Sequence, residues 1–250
     1  MQRYFVESAN WDKETNKIQI TGNDVHHISR VMRNELGDEI ICIHPDQTIA
    51  RCEIRKIESD VIYCSIISIE LNQYELPVYA TIIQALPKGD KLELIIQKGT
   101  ELGASKFYLY ESERSIVKWN KQKASKKMTR YKKIVKEAAE QSYREIIPEI
   151  YEPSSLEAII EATKNYSVKL VAYEEEAKKD QTTYTFSEEL QKLRKNDEIV
   201  IFIGPEGGIT SEEVDILKTA DFIPVKLGNR ILRTETASLY ALSSISYQFE

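Results

Sequence analysis

The sequence has little of what would mark several broad protein classes. Cysteine is scarce: Cys42, Cys52 and Cys64 are odd in number, form no CxxC pair, and are joined by only three histidines in 250 residues. That excludes a disulfide scaffold and a structural zinc site, and no metal is expected. The three thiols fall in β-branched runs and read as small buried hydrophobes in a reducing compartment. No apolar run approaches the roughly 20 residues that span a bilayer. The opening MQRYFVESANWDKE lacks the basic-then-apolar order of a secretory signal. A cytoplasmic protein with no membrane partner is therefore expected. Glycine is sparse too, but four of the nine lie between Gly204 and Gly228.

With 42% hydrophobic and 30% charged residues, the chain can bury a substantial core as one large domain or two smaller ones. Lys and Arg total 34 against 40 Asp and Glu, a formal net charge of −6, which argues weakly against nucleic acid as a partner. Net charge hides distribution, however. From Lys118 to Lys136 there are nine Lys or Arg and no Asp or Glu. Such a run is either a solvated helix face or a contact for an RNA backbone, and the charges alone leave both readings open.

Residues 1 to about 70 read as mostly β. Glu39–His44, Thr48–Ile57 and Val61–Ile69 are short β-branched runs separated by turn residues such as Pro45-Asp46 and Ser59-Asp60. A short helix is predicted over Asp24–Arg33, with Val25, Ile28 and Met32 on one face. These features predict a small β-barrel over residues 1–70, followed by a linker at 71–77. From 78 to 250 strands and helices alternate. Val78–Leu86 reads as a strand, and a helix follows with Leu92, Ile95, Ile96 and Leu102 at helical spacing and Gly103 as its stop. Lys106–Tyr110 is the next strand. A long helix then carries Met128, Tyr131, Ile134, Val135 and Ala138 on one side. Val168–Tyr173, Glu198–Ile203 and Phe222–Leu227 are further buried-type strands. Alternation of this kind predicts an α/β domain with a mainly parallel sheet.

The chemistry concentrates near the C-terminus. Glu198–Ile203 runs directly into Gly204-Pro205-Glu206-Gly207-Gly208, and Thr210 and Glu213 have the spacing of a capping box at the start of a helix. A strand, a glycine turn and a helix N-terminus expose backbone N–H groups where open α/β sheets bind ligands. The turn is neither a P-loop nor GxGxxG. A generic glycine turn would carry no function by itself, but a second strand end lies nearby. Phe222–Leu227 leads into Gly228-Asn229-Arg230-Ile231-Leu232-Arg233-Thr234-Glu235-Thr236, with two arginines, a carboxylate and two hydroxyls. One glycine-rich and one polar loop on adjacent strand ends form a candidate pocket.

At these residues the chain resembles the SPOUT, or trefoil-knot, methyltransferases, and within them the small-subunit ribosomal RNA methyltransferase E family. GPEGG and LGNRILRTETA carry the resemblance, as do HHISRVMRNELGDEI, KGDKLELIIQKGTELGASKFYLYESERS and EAAEQSYREIIPEI. Two departures are Gly99, where alanine is expected, and Ile209, where an aromatic is common. The resemblance implies an α/β trefoil-knot domain, a rare exception to unknotted folding, behind a PUA-like β-barrel that binds RNA. It implies S-adenosylmethionine as cofactor, held by Val171, Ala172 and Tyr173, by Ile203, Gly204, Pro205, Glu206, Gly207 and Gly208, and by Leu227, Gly228, Ile231 and Leu232. It places Arg30, Arg33, Lys98, Arg114 and Arg144 toward RNA. It also implies a homodimer, with small residues of the last helix (Ala237, Ser238, Ala241, Ser243, Ser244) allowing close packing. The reaction implied is methylation of uracil N3 in 16S ribosomal RNA, free or in the small subunit.

Uracil N3 is a weak acid, so its proton must be removed and the resulting charge stabilised. Arg233 is the candidate for the charge, and Glu206 or Glu235 for the proton; either carboxylate could instead hold the knot together. C5 methylation is disfavoured, because it needs a nucleophilic cysteine and all three lie in the N-terminal region. The alternatives are ribose 2′-O methylation and a non-catalytic RNA-binding factor. For the basic run, replacing four of its lysines with glutamine is expected to flatten the salt dependence of RNA affinity by about 0.7 to 0.9 per lost phosphate contact. Replacing Arg30 and Arg33, beside His26 and His27, should act in the same direction. Binding measured across a salt series checks this, and an unchanged slope returns the run to a solvated face.

Overall fold

The computed structural model describes residues 1–71, 74–115, 118–173 and 185–250. The chain divides into two compact units, one of Met1–Glu75 with Ala139–Ile146, the other of Leu76–Ala138 with Ile147–Glu250.

The first unit is built on a six-stranded sheet. Its strands are β1 (Arg3–Phe5), β2 (Trp11–Asp12), β3 (Lys17–Thr21), β4 (Glu39–Ile43), β5 (Ile49–Ile57) and β6 (Val61–Glu70), in the order β1-β4-β5-β6-β3-β2. All neighbours pair antiparallel except β1 with β4. Period-two alternation buries Ile18, Ile20, Ile40, Cys42, Cys52, Ile54, Ile62 and Cys64 on one face. The cysteines are free and buried, and burial contributes to raising the thiols of Cys42 and Cys64, the latter to about 12. They are packing groups. The helix expected over Asp24–Arg33 is shorter and mixed: α1 (Asn23–His26) passes into a π-helical turn, His27–Val31, closed by Met32 N–H donating to the His27 carbonyl. Val25 and Ile28 are buried as expected, whereas Met32, Arg30 and Arg33 are exposed.

The separate stretch Ala139–Ile146 joins this unit through Arg144. Its guanidinium binds Glu75 from Nε (3.1 Å to Oε1) and Nη2 (2.5 Å to Oε2), and the backbone N–H groups of Glu145 and Ile146 donate to the same carboxylate. The Arg144 side chain is only 3% exposed. Its expected role toward RNA is therefore replaced by a structural one, because a buried, bidentate ion pair leaves no donor face for a phosphate.

The second unit holds a wholly parallel sheet. Its strands are β7 (Tyr79–Ala85), β8 (Ala104–Tyr110), β9 (Glu149–Ser154), β10 (Val168–Ala172), β11 (Glu198–Ile203) and β12 (Ile223–Val225), in the order β12-β10-β11-β7-β8-β9. Both faces are covered, as a parallel sheet requires. Helices α2 (Lys91–Glu101), α3 (Lys121–Gln141) and α7 (Thr234–Gln248) contribute to one apolar cluster, α4 (Leu156–Ala162) and α6 (Ser211–Thr219) to another. The short α5 (Phe186–Leu190) adds Phe186 and Leu190 to the first. Gly103 ends α2 at φ +93°. Gly99 has a packing reason: a Cβ there would lie 2.9 Å from the Phe107 ring.

Two features of the helices bear on function. On α3, Met128, Tyr131 and Val135 are buried, while Lys123, Lys126, Arg130 and Lys133 recur at three- and four-residue spacing on the exposed side. On α7, Ala237, Ser238 and Ala241 are buried within the chain, where α7 packs on α2, β7 and β11. The small residues thus serve intrachain packing, and Thr236, Tyr240, Ser243 and Tyr247 form the exposed side.

The Arg144–Glu75 pair supplies a stability prediction. Glu75→Ala strands a buried guanidinium and is expected to destabilise the protein by about 3–5 kcal/mol, read by urea denaturation.

Candidate active site

The carboxyl ends of β10, β11 and β12 open into a cavity of about 610 Å³. It lies at the carboxyl ends of the parallel strands, the side on which open parallel sheets bind ligands. Ala172 and Tyr173 come from the end of β10, Ile203 to Ile209 from the loop after β11, and Val225 to Thr234 from the segment after β12; Lys91, Arg114 and Ala237 complete the lining. The cavity therefore gathers twelve of the thirteen residues expected at the cofactor. Val171 is the exception. Alternation along β10 turns its side chain to the opposite face, where it is fully buried with Phe202 and Val214.

The loop after β11 folds tightly on itself. Gly208 N–H donates to the Pro205 carbonyl at 2.9 Å, and Gly208 has φ +76°. A Cβ at Gly204 would come within 2.6 Å of Ile209, and one at Gly207 within 3.1 Å of Arg114. Ile209, where an aromatic is common, is thus the side chain against which Gly204 packs. The loop ends in the expected capping box: Thr210 Oγ1 accepts from Glu213 N–H at 3.1 Å, and Glu213 accepts from Thr210 N–H at 2.9 Å. Glu213 also accepts from the hydroxyls of Tyr110 (2.8 Å) and Ser112 (3.2 Å) and from Glu113 N–H. Burial pushes its carboxyl up, but these donors outweigh burial and hold it below its ordinary value. This anchors the chain after β8, from which Arg114 reaches back to the carbonyls of Gly207 (3.3 Å) and Ile209 (3.5 Å). Arg114, expected toward RNA, sits on the cavity rim.

The candidate catalytic residues separate into two kinds. Glu206 and Glu235 share one cation: Lys91 Nζ lies 2.8 Å from Glu206 and 3.3 Å from Glu235. Burial would raise the Glu206 carboxyl, yet the Lys91 ammonium and the backbone N–H groups of Glu206 and Lys88 hold it below its usual range. The same pairing raises Lys91. Arg233 is the N-terminal flanking residue of α7, exposed on the cavity wall, and its guanidinium has no hydrogen-bond or ion-pair partner among the described residues. The ion pair with Glu235 that would have made it structural is absent there. Lys98 is half-exposed and pairs along its own helix with Glu101 at 2.8 Å. Nothing in the sequence distinguishes Lys91 from the other lysine of its helix; it stands in the KGDKLE segment three residues after Lys88.

A family model described as an RNA methyltransferase domain matches residues 74–246, and one described as an RNA methyltransferase PUA domain matches 20–67. The ribosomal RNA small subunit methyltransferase E of Bacillus subtilis is 46% identical over 251 residues, spanning 100% of this chain and 98% of that protein. The chain belongs to the ribosomal RNA small subunit methyltransferase E family. A counterpart from Synechocystis is 32% identical over 93% of the chain and 74% of its own length. The family member from Neisseria gonorrhoeae, solved with bound S-adenosyl methionine, superposes with a TM-score of 0.82 at 27% identity, over 100% of this chain and 98% of that one. A Legionella pneumophila methyltransferase solved with the same cofactor gives 0.83 at 27% identity, over 98% and 96%. The fold is of the SPOUT type with an N-terminal PUA-like domain.

Gly208→Val places a β-branched side chain at positive φ beside the cavity. Cofactor affinity is expected to fall by at least about tenfold for a loop strained in this way, with the protein still folded and its thermal transition lowered by a few degrees. Titration calorimetry beside a thermal melt checks this, and normal affinity in a folded variant refutes it.

Proposed function

We propose that this protein transfers a methyl group from S-adenosylmethionine to N3 of a uridine in 16S ribosomal RNA, free or within the small subunit. The observation that carries the reading is the cavity at the ends of β10, β11 and β12, narrowed by glycines and walled by Arg233, which has no partner among the described residues. The residues fit the cofactor: glycines permit close backbone approach, while Ile203, Leu227, Leu232 and Ala237 offer apolar surface for an adenine ring. When bound, S-adenosylmethionine supplies a sulfonium methyl group, and loss of positive charge at sulfur accompanies transfer.

The chain's own residues supply alignment and charge. Arginine stays protonated, so Arg233 acts as a donor and not as a base. Its role is to hold the uracil ring and stabilise the negative charge that grows on it as N3 loses its proton to solvent water. Glu206 is a weaker proton acceptor than an ordinary carboxylate, because its Lys91 partner favours the ionised form. Glu206 and Glu235 accordingly serve as a clamp on Lys91, tying the start of α2 to the glycine loop and to α7.

RNA would approach with Arg30, Arg33, the exposed cations of α3 and Arg114 contributing phosphate contacts. The protein would act in the cytoplasm as a two-fold dimer, using the exposed side of α7; a monomer mass by light scattering at micromolar concentration would count against the dimer. The reaction is tested by mass spectrometry of nucleosides from 16S RNA incubated with labelled cofactor. N3-methyluridine is the expected product, 2′-O-methyluridine would move the assignment within the superfamily, and no product would leave a binding factor. Arg233→Ala is expected to leave cofactor affinity nearly unchanged and slow single-turnover transfer by a factor on the order of 100. Arg233→Lys should recover only part, lacking the planar fork.

A further inference from the structure

One polar group stands out in the core of the second unit. Gln84, near the end of β7 in the middle of the sheet, is fully buried, and its register neighbours are Ile203 on β11 and Leu109 on β8. A buried amide costs free energy unless each of its groups is satisfied, and here they are. Gln84 Nε2 donates to the Ala85 carbonyl at 2.9 Å and to Thr234 Oγ1 at 2.9 Å. Gln84 Oε1 accepts from Ser238 Oγ at 2.5 Å. Thr234 Oγ1 in turn donates to the Gly204 carbonyl at 2.7 Å. The direction of the chain is fixed at both ends: the carbonyls of Ala85 and Gly204 can only accept, so the amide nitrogen faces Thr234 and the threonine proton faces Gly204.

This network joins three pieces of the site that are far apart in sequence. Gly204 is the first residue of the loop after β11. Thr234 is the first residue of α7, next to Arg233. Gln84 belongs to neither and sits beneath both. We infer that Gln84, Thr234 and Ser238 are positioning residues, which set the start of α7 against the glycine loop and thereby place Arg233 relative to the reacting methyl group. The inference rests on the role proposed above for Arg233. A local shift of this juncture would leave the cavity present but misalign its two walls, and misplacement on the scale of 1 Å is enough to slow an aligned reaction substantially.

The test uses Thr234→Val, which keeps shape and removes the hydroxyl, and Thr234→Ser, which restores it. Gln84→Met supplies a second disruption of the network. Single-turnover transfer at saturating cofactor is expected to fall by about tenfold or more in Thr234→Val and to return to within about twofold of wild type in Thr234→Ser. Cofactor affinity by calorimetry is expected to change much less than the rate, and the thermal transition to fall by only a few degrees, since the Gln84 amide and the Gly204 carbonyl each lose a partner in an otherwise intact core. The decisive measurement is a double-mutant cycle with Arg233→Ala, in which Thr234→Val should add less than about twofold, because its effect passes through Arg233. If Arg233→Ala slows transfer but the two effects simply multiply, the positioning inference is overturned. If Arg233→Ala itself transfers at the wild-type rate, the catalytic role of Arg233 fails instead. Should Thr234→Val lose stability, affinity and rate together, with no rescue by serine, the network is scaffold only. Failure of Gln84→Met to fold leaves the threonine pair to decide.

Discussion

A parallel sheet delivers every strand to the same edge, and the carbonyl that follows the last ladder bond of a buried strand there still needs a donor. At the end of β11 that carbonyl belongs to Gly204. The loop that follows cannot serve it, because it curls back on itself through Gly208 and Pro205. The donor is the hydroxyl of Thr234, thirty residues on. To deliver it, the chain leaves edge strand β12 and crosses back to the middle of the sheet, and the crossing segment becomes the outer wall of the cavity. The pocket and the return of the chain from β12 to α7 are thus one structural event.

The charges around that juncture follow from the same closure. Three carboxylates come close to the cavity or its supports, and each is answered: Glu206 and Glu235 by Lys91, Glu213 by four donors. Glu206 and Glu213, held below their ordinary range by these donors, stabilise the loop and are poorly suited to taking a proton from a weak acid. Arg233 differs from them in having no partner among the described residues. Holding an exposed arginine free beside a cavity sacrifices a possible ion pair, which makes sense where the partner is a group that arrives with the substrate.

Much of this was legible in the sequence, and the reasons for the misses are physical. Strands β4 to β8, β10 and β11 were visible because β-branched runs and turn residues mark them. The capping box at Thr210 and Glu213, and the loops that line the cavity, were visible because glycine and polar residues there break the pattern. Val171 was misplaced by one step of a period-two alternation: its neighbours Ala172 and Tyr173 reach the cavity while it faces the opposite core. Arg144 was misjudged because a conspicuous arginine in a motif reads the same whether its carboxylate partner is a neighbour or Glu75, 69 positions earlier in the chain. The Gln84 network was invisible for the same reason. A single glutamine in an apolar strand announces burial, but not that its partners lie about 150 residues away.

The charge distribution also makes sense under the proposed function. Nine cations lie between Lys118 and Lys136, leaving 25 against 40 carboxylates elsewhere. A uniformly basic protein would hold RNA everywhere and present the wrong face to it most of the time. An acidic protein with one basic helix repels the polyanion over most of its surface and attracts it at one place, so that electrostatics orients the encounter before any base is read. Contacts of this kind carry no sequence information. Selection of the base must then come from the cavity, where the glycine loop sets the depth and Arg233 can hold the uracil carbonyls. Affinity and selectivity would thereby reside on different elements, α3 and the start of α7, joined through α2, whose Glu93 pairs with Arg130 and whose Lys91 holds the cavity's carboxylates.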